Sequence, residues 1–157
     1  MKKFYLISIF IISSFIPSIT FGNIIDKLNE TGKFTKLNET LVKSGLLESL
    51  KGDGPFTVFA PLDDAFAAIS AKTYYGLLRE ENKKKLVNIL GRHVFTKKLS
   101  SLDVDGEIKL TAINGEEITI KKVNGVIYIN EAEVVKADVE VSNGVIHFIN
   151  RVLQPLK

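Results

Sequence analysis

The sequence predicts an α+β domain with helices in its first half and an antiparallel set of strands in its second. Two observations carry this reading. From Phe34 to Leu90, apolar residues recur three and four positions apart, the spacing of one helix face. From Ile108 onward they alternate, and Asn-Gly occurs at 114–115, 124–125 and 143–144 between β-favouring runs, a dipeptide suited to two-residue hairpin turns.

Each element follows from local chemistry. Phe34, Leu37 and Leu41, then Leu46, Leu47 and Leu50, predict an amphipathic helix over 34–50 interrupted near Gly45. Gly52 to Pro55 is turn chemistry, and Phe56 to Ala60 is a short β-favouring run ended by Pro61. Asp63 or Asp64 is expected to cap the helix that follows, with Phe66 and Ile69 facing inward. Tyr74 to Leu78 gives a further helical turn. "EENKKKLVNILGRHVF" starts acidic and carries an apolar face of Leu86, Ile89, Leu90 and His93. Strands are expected at 108–113, 116–122, 126–130, 133–141 and 145–150, the three hairpins making a meander. The pentapeptide KLNET occurs at 27–31 and 36–40, too short an echo for a structural repeat.

The first residues read as an export signal. Lys2 and Lys3 precede an apolar stretch, Phe4 to Ile16, and Thr20 and Gly22 supply small residues before a cleavage point. The stretch ends at Pro17, short of the ~20 residues of a spanning helix. The expected division is therefore a signal peptide at 1–22 and one domain at 23–157. Of 21 basic residues two lie in the signal and none of the 18 acidic ones do, so the remaining domain is nearly neutral. Its only tight basic run, Lys83 to Lys85, adjoins Glu80 and Glu81, which argues against a nucleic-acid surface. Cysteine is absent, which excludes disulfides, thiolate metal sites, cysteine nucleophiles and a lipid anchor through cysteine. The expected location is secreted or periplasmic.

Catalytic patterns are missing. There is no G-x-S-x-G and no H-E-x-x-H, and the two histidines, His93 and His147, lie among apolar neighbours. "DVDGE" at 103–107 lacks the glycine and glutamate positions of a calcium loop and reads as an Asp-Gly turn. If Asn143-Gly144 forms a two-residue turn, Val141 faces Ile146, Val139 faces Phe148 and Glu140 faces His147. Glu140 would then favour the imidazolium form of a scaffold histidine.

Three segments, "GPFTVFAPLDDAF", "LVNILGRHVF" and "VVKADVEVSNGVIHFINRVLQP", resemble in order and separation the two motif blocks and the intervening histidine motif of the fasciclin-like domain family. The helix at 34–50 resembles the segment before the first block, and the resemblance spans residues 23–157. It implies a fasciclin-like α+β fold, N-terminal helices packed on a wedge of two mostly antiparallel β-sheets. It also implies an exported, non-enzymatic adhesion or matrix-interaction module without cofactor or metal, whose partner is a protein or glycan at a cell surface or matrix. Some secreted members bind carotenoids, so the alternative it implies is a carrier of an apolar ligand.

The motif blocks assign framework positions to Thr57, Phe59, Pro61, Asp63, Phe66, Asn143, Gly144 and His147. The family's tyrosine-histidine motif aligns with Arg92-His93, and its acidic-proline-aspartate motif aligns with Lys136 to Glu140, where Asp138 is retained. Arg92, His93 and Asp138 are thus the candidate interaction residues, and the lost tyrosine, acid and proline weigh against integrin binding. Asn29 and Asn38 begin N-x-T sequons, open to glycosylation in a eukaryotic host.

Overall fold

The computed structural model describes residues 21–154. Nearly all of the expected signal peptide lies outside these residues. Among the described residues no helix is long and apolar enough to cross a membrane.

Five helices precede the meander. Helix α1, Ile24–Thr31, begins in a capping box in which the Asn23 side chain accepts from the Asp26 amide and the Asp26 carboxylate accepts from the Asn23 amide. Ile24, Ile25 and Leu28 form its buried stripe, and Gly32, at φ 64°, ends it. The sequence reading began its helices at Phe34 and missed this one, although Asn-x-x-Asp before that stripe was the signal. Helix α2, Thr35–Ser44, buries Leu37, Thr40, Leu41 and Ser44 along one face and stops at Gly45, left-handed at φ 81°, after which α3, Leu46–Ser49, begins. Ala71–Leu77 forms α4 and Lys83–Gly91 forms α5.

Strand β1, Phe56–Pro61, leads into a 3₁₀ turn at Asp63–Ala68, and here the capping expectation is corrected. Asp63 does not cap its own turn. Its carboxylate caps α2 instead, accepting from the Thr35 and Lys36 amides at 3.2 and 2.8 Å and from the Thr35 hydroxyl. A side chain from distant sequence thus serves α2, whose own N-cap residue, Phe34, offers no polar atom. Burial works to raise the Asp63 carboxyl, but the Thr35 and Lys36 bonds and the Lys36 charge prevail and hold it below its ordinary range. Asp63→Ala is expected to cost about 1 to 2 kcal/mol, read as a lower urea midpoint.

The other strands are β2 (Val94–Phe95), β3 (Glu107–Thr111), β4 (Glu117–Val123), β5 (Val126–Ile129), β6 (Ala132–Val141) and β7 (Gly144–Ile149). Their order is β2-β1-β7-β6-β5-β4-β3, so β3 to β7 form the expected meander and β1 joins it parallel to β7. Hydrogen bonding runs continuously through all seven, with β6 common to both halves of the expected wedge. One core fills the helix side, around Phe34, Leu41, Leu86, Leu90, Ile146 and Phe148. A second lies under the meander, around Phe59, Phe95, Ile118, Ile120, Ile129 and Ile149.

The hairpins differ in one respect from expectation. Asn124-Gly125 is a two-residue turn with both φ values positive, at 51° and 81°. Asn114-Gly115 instead lies within the longer connection 112–116. At the last hairpin Val141 pairs with Gly144, so the turn residues are Ser142 and Asn143, one position earlier than expected. Val139 then faces Ile146 and Glu140 faces Val145, which removes the Glu140–His147 pairing. The two faces survive because the pairs move by two residues, an even step on a pleat of period two.

Candidate functional site

The sequence singled out two histidines, Arg92 and Asp138, and the structure places Arg92 and His93 just after α5, Asp138 on β6 and His147 on β7. His93 follows the C-terminus of α5 and is 2 % exposed. Its Nδ1 lies 2.9 Å from the Ile89 carbonyl oxygen, and its Nε2 accepts from the Leu153 amide at 2.9 Å. This fixes the neutral tautomer with the proton on Nδ1. Burial, joined by the Arg92 charge, lowers the ring to about 4 against the opposing pull of the Ile89 and Leu90 backbone bonds.

His147, also 2 % exposed, stacks on Phe59 with ring centroids 5.0 Å apart. Its partners are not carboxylates. Nε2 donates to the Leu99 carbonyl oxygen at 2.7 Å, and Nδ1 accepts from the Asp138 amide at 3.2 Å. That amide reaches the ring because β6 shifts register between Lys136 and Val139, with Asp138 left-handed at φ 59°. Glu140, the partner expected from the sequence, pairs with Lys98 at 2.7 Å. Burial lowers the His147 ring, outweighing the Leu99 bond and the Asp138 and Glu140 charges, so the expected imidazolium is replaced by a neutral imidazole.

Arg92 is 4 % exposed, too deep to meet a partner directly. Its Nε and Nη2 donate to the two Glu116 carboxylate oxygens, both at 2.6 Å. The Arg92 bonds hold Glu116 below its ordinary range. This clamp ties α5 to the β3–β4 connection, and the sequence places Glu116 only at the start of the expected strand 116–122. Asp138 is on the surface, but it is committed as well: its carboxylate accepts from the Ser101 amide at 2.7 Å and from the Ser101 hydroxyl. Arg92 and His93 therefore sit inside the scaffold, and Asp138 anchors the loop after β2.

Of the motif-block residues, Thr57, Phe59 and Pro61 lie on β1 and Gly144 and His147 on the adjoining β7. Thr57 is buried, donating to the Lys97 carbonyl and accepting from the Leu99 amide at 2.9 Å. Asn143 is buried and joins three segments. Its Oδ1 accepts from the Ile24 amide at 3.0 Å, and its Nδ2 donates to the Leu50 and Gly52 carbonyls at 2.8 Å each. Beside it, a Cβ on Gly144 would stand 1.9 Å from the Phe56 carbonyl oxygen. The sequon residues touch each other, the Asn38 amide donating to Asn29 Oδ1 at 2.8 Å.

No histidine nitrogen is left for proton transfer or metal binding. Among the described residues no group of three or more metal-ligating side chains occurs. The neutral rings have a measurable consequence. The unfolded chain, with imidazoles near ~6.5, takes up protons before the folded one does. Stability is therefore complete above about pH 6.5 and falls as the pH drops toward the lowered folded values, with a slope approaching ~1.4 kcal/mol per pH unit for each ring. Urea midpoints from pH 7 to 4 check this, and His147→Gln is expected to lessen the dependence. A flat profile down to pH 5 contradicts it.

Two of the cavities among the described residues bear on ligand binding. A cleft of about 620 Å³ lies between the 3₁₀ turn and the β5–β6 connection, with Asp64, Glu131 and Arg151 in its wall. A smaller cavity of about 200 Å³ lies within the helical layer, lined by Phe66, Ile69, Leu77 and Ile89.

Comparison with known proteins places this geometry. The Fasciclin domain family model matches residues 32–155. Protein sll1483 of Synechocystis is 46 % identical over 128 residues, covering 81 % of this chain and 69 % of its own. The transforming growth factor-beta-induced protein ig-h3 of Sus scrofa is 34 % identical across 85 % of this chain, which spans only 19 % of that protein. A solved FAS1 domain pair from the insect cell adhesion molecule Fasciclin I matches at a TM-score of 0.75 and 21 % identity, over 87 % of this chain and 52 % of that one.

Proposed function

This chain belongs to the fasciclin domain family, and from that premise we propose that it is an exported, non-enzymatic adhesion or matrix-interaction module. The observation that carries the reading is the state of the polar groups inside. Both histidines and Thr57 spend their polar atoms on the protein's own backbone, and Arg92 turns Nε and Nη2 to Glu116, which leaves the outer surface to do the work. The solved neighbour's source, a cell adhesion molecule, supports the same class.

The partner in this reading is a protein or glycan of a cell surface or matrix. Arg92 and His93 act on it only by holding the surface in shape. Immobilised protein is expected to retain components of cell-envelope or matrix fractions, and heat-unfolded protein is not. His147→Ala is expected to lose binding only at temperatures where its melting curve shows unfolding; loss with an unchanged curve gives the ring a direct role. Export is tested by the mass of the protein recovered outside the cytoplasm, expected to begin at Asn23.

A second reading, carriage of an apolar ligand, draws support from the cavity of about 200 Å³ in the helical layer. A carotenoid is several times larger than this space and would lie mostly outside it. Titration with polyenes, followed by visible absorbance, tests that form of the reading.

A further inference from the structure

The cavity has a chemistry that selects a narrower ligand. It lies between α2, α4, α5 and the 3₁₀ turn, and its walls are mainly the aliphatic and aromatic side chains of Phe66, Ile69, Leu77, Leu86 and Ile89. The polar groups that border it are mostly engaged elsewhere. The Thr40 hydroxyl donates to the Leu37 carbonyl at 2.7 Å, and the Tyr74 hydroxyl donates to Glu39 at 2.6 Å. The Thr73 hydroxyl shares a 2.9 Å bond with that of Ser70. His93 has both nitrogens occupied.

Two lining groups remain, a cation and a side-chain amide. Lys85 lies in the wall on α5 and is exposed, without an ion-pair partner among the described residues. The nearby acids are taken, Glu80 by Lys83 at 3.6 Å and Glu81 by Arg79 at 3.7 Å. Gln154 adds an amide. An apolar chamber with an unpaired cation at its wall calls for an apolar tail ending in an anion. The larger cleft makes no such choice, because Asp64, Glu131 and Arg151 set both signs of charge in its wall.

Size narrows the class further. At ~30 Å³ for a water-sized group, a volume of about 200 Å³ holds roughly seven such groups. That suits a chain of about eight carbons. We infer that this cavity is a binding site for a medium-chain monocarboxylate, its tail among Phe66, Leu77 and Ile89 and its carboxylate at Lys85. The inference rests on the apolar-ligand reading and replaces its polyene with a ligand the cavity encloses. It is independent of the adhesion reading.

The test is titration of the protein with hexanoate, octanoate, decanoate and myristate, followed by calorimetry and by amide shifts in the nuclear magnetic resonance spectrum. Octanoate is expected to bind saturably, with shifts centred on Ile69, Leu77 and Ile89. Each added methylene should tighten binding about threefold to fourfold until the cavity is full near eight carbons, and no further. Lys85→Glu lies on the surface and leaves the fold intact; it should weaken octanoate roughly tenfold and leave 1-octanol unchanged. Leu77→Trp, which fills the space, should abolish binding of both. Affinity that climbs through myristate, shifts remote from these residues, or equal responses of acid and alcohol to Lys85→Glu would each overturn the proposal. Polyene binding without octanoate binding would refute this site while upholding the broader carrier reading.

Discussion

Replacing Asn143 with alanine is expected to lower the free energy of unfolding by about 4 kcal/mol, a large part of the ~5 to 15 kcal/mol that holds a domain folded. The side chain is buried and makes three bonds to three segments: the start of α1 at Ile24, the end of α3 at Leu50 and the loop at Gly52. Alanine leaves one amide and two carbonyls short of a partner, at ~1 to 3 kcal/mol for each group that stays buried. Asn143→Asp is an informative companion. It keeps the acceptor for Ile24 but sets a carboxylate against two carbonyl oxygens, so it should not rescue stability. Urea unfolding at pH 7 decides the matter, and a loss under about 1 kcal/mol for the alanine variant would mean that water replaces all three bonds.

Gly144→Ala is also expected to be strongly damaging, at about 3 kcal/mol or more, for a different reason. The new methyl would stand 1.9 Å from the Phe56 carbonyl oxygen and 2.8 Å from its carbon, and both belong to backbone. Phe56 and Gly144 are the first pair of the parallel β1–β7 ladder, so relief requires separating the two central strands. Gly125→Ala serves as the control. Its Cβ would meet nothing within 4 Å, and only the positive φ of 81° opposes it, costing about 1 to 2 kcal/mol. Comparable losses for the two variants would show that the strands part easily at Phe56.

The legible parts of this fold were those that short-range physics decides. The spacing of Leu37 and Leu41 and the stop at Gly45 define α2. The two positive-φ residues at Asn124-Gly125 define a turn. The assignment of Val139, Val141, Ile146 and Phe148 to one face also held, because alternation does not depend on which residue pairs with which.

What escaped the sequence was the choice of partner across distance. Asp63 serves α2 rather than its own turn, His147 takes backbone groups at Leu99 and Asp138 rather than Glu140, and Arg92 finds Glu116. Each choice is set by where whole elements pack. The last hairpin shows how slight the local signal was. Gly144 reads as a turn residue, yet it is the first residue of β7, placed there because only a glycine tolerates the approach of Phe56. The cavity beside Lys85 left no pattern in the sequence, since it is bordered by residues from four helical segments and the chain's end.

The parallel pairing of β1 with β7 also sets the order in which the chain can become a protein. Strand β1 is neighboured only by β2, two residues long, and by β7, near the end of the described chain. Asn143 closes contacts across 93 and 119 positions, to Leu50 and Ile24. Loops of that span cost entropy before any contact rewards them, so folding should be slow for a domain of this size. On the ribosome, α1, α3 and β1 emerge early and find nothing to complete them until residue 149 has been added. A chain stopped before Gly144 is therefore expected to remain unfolded, and the nascent domain stays pliable until β7 has been made.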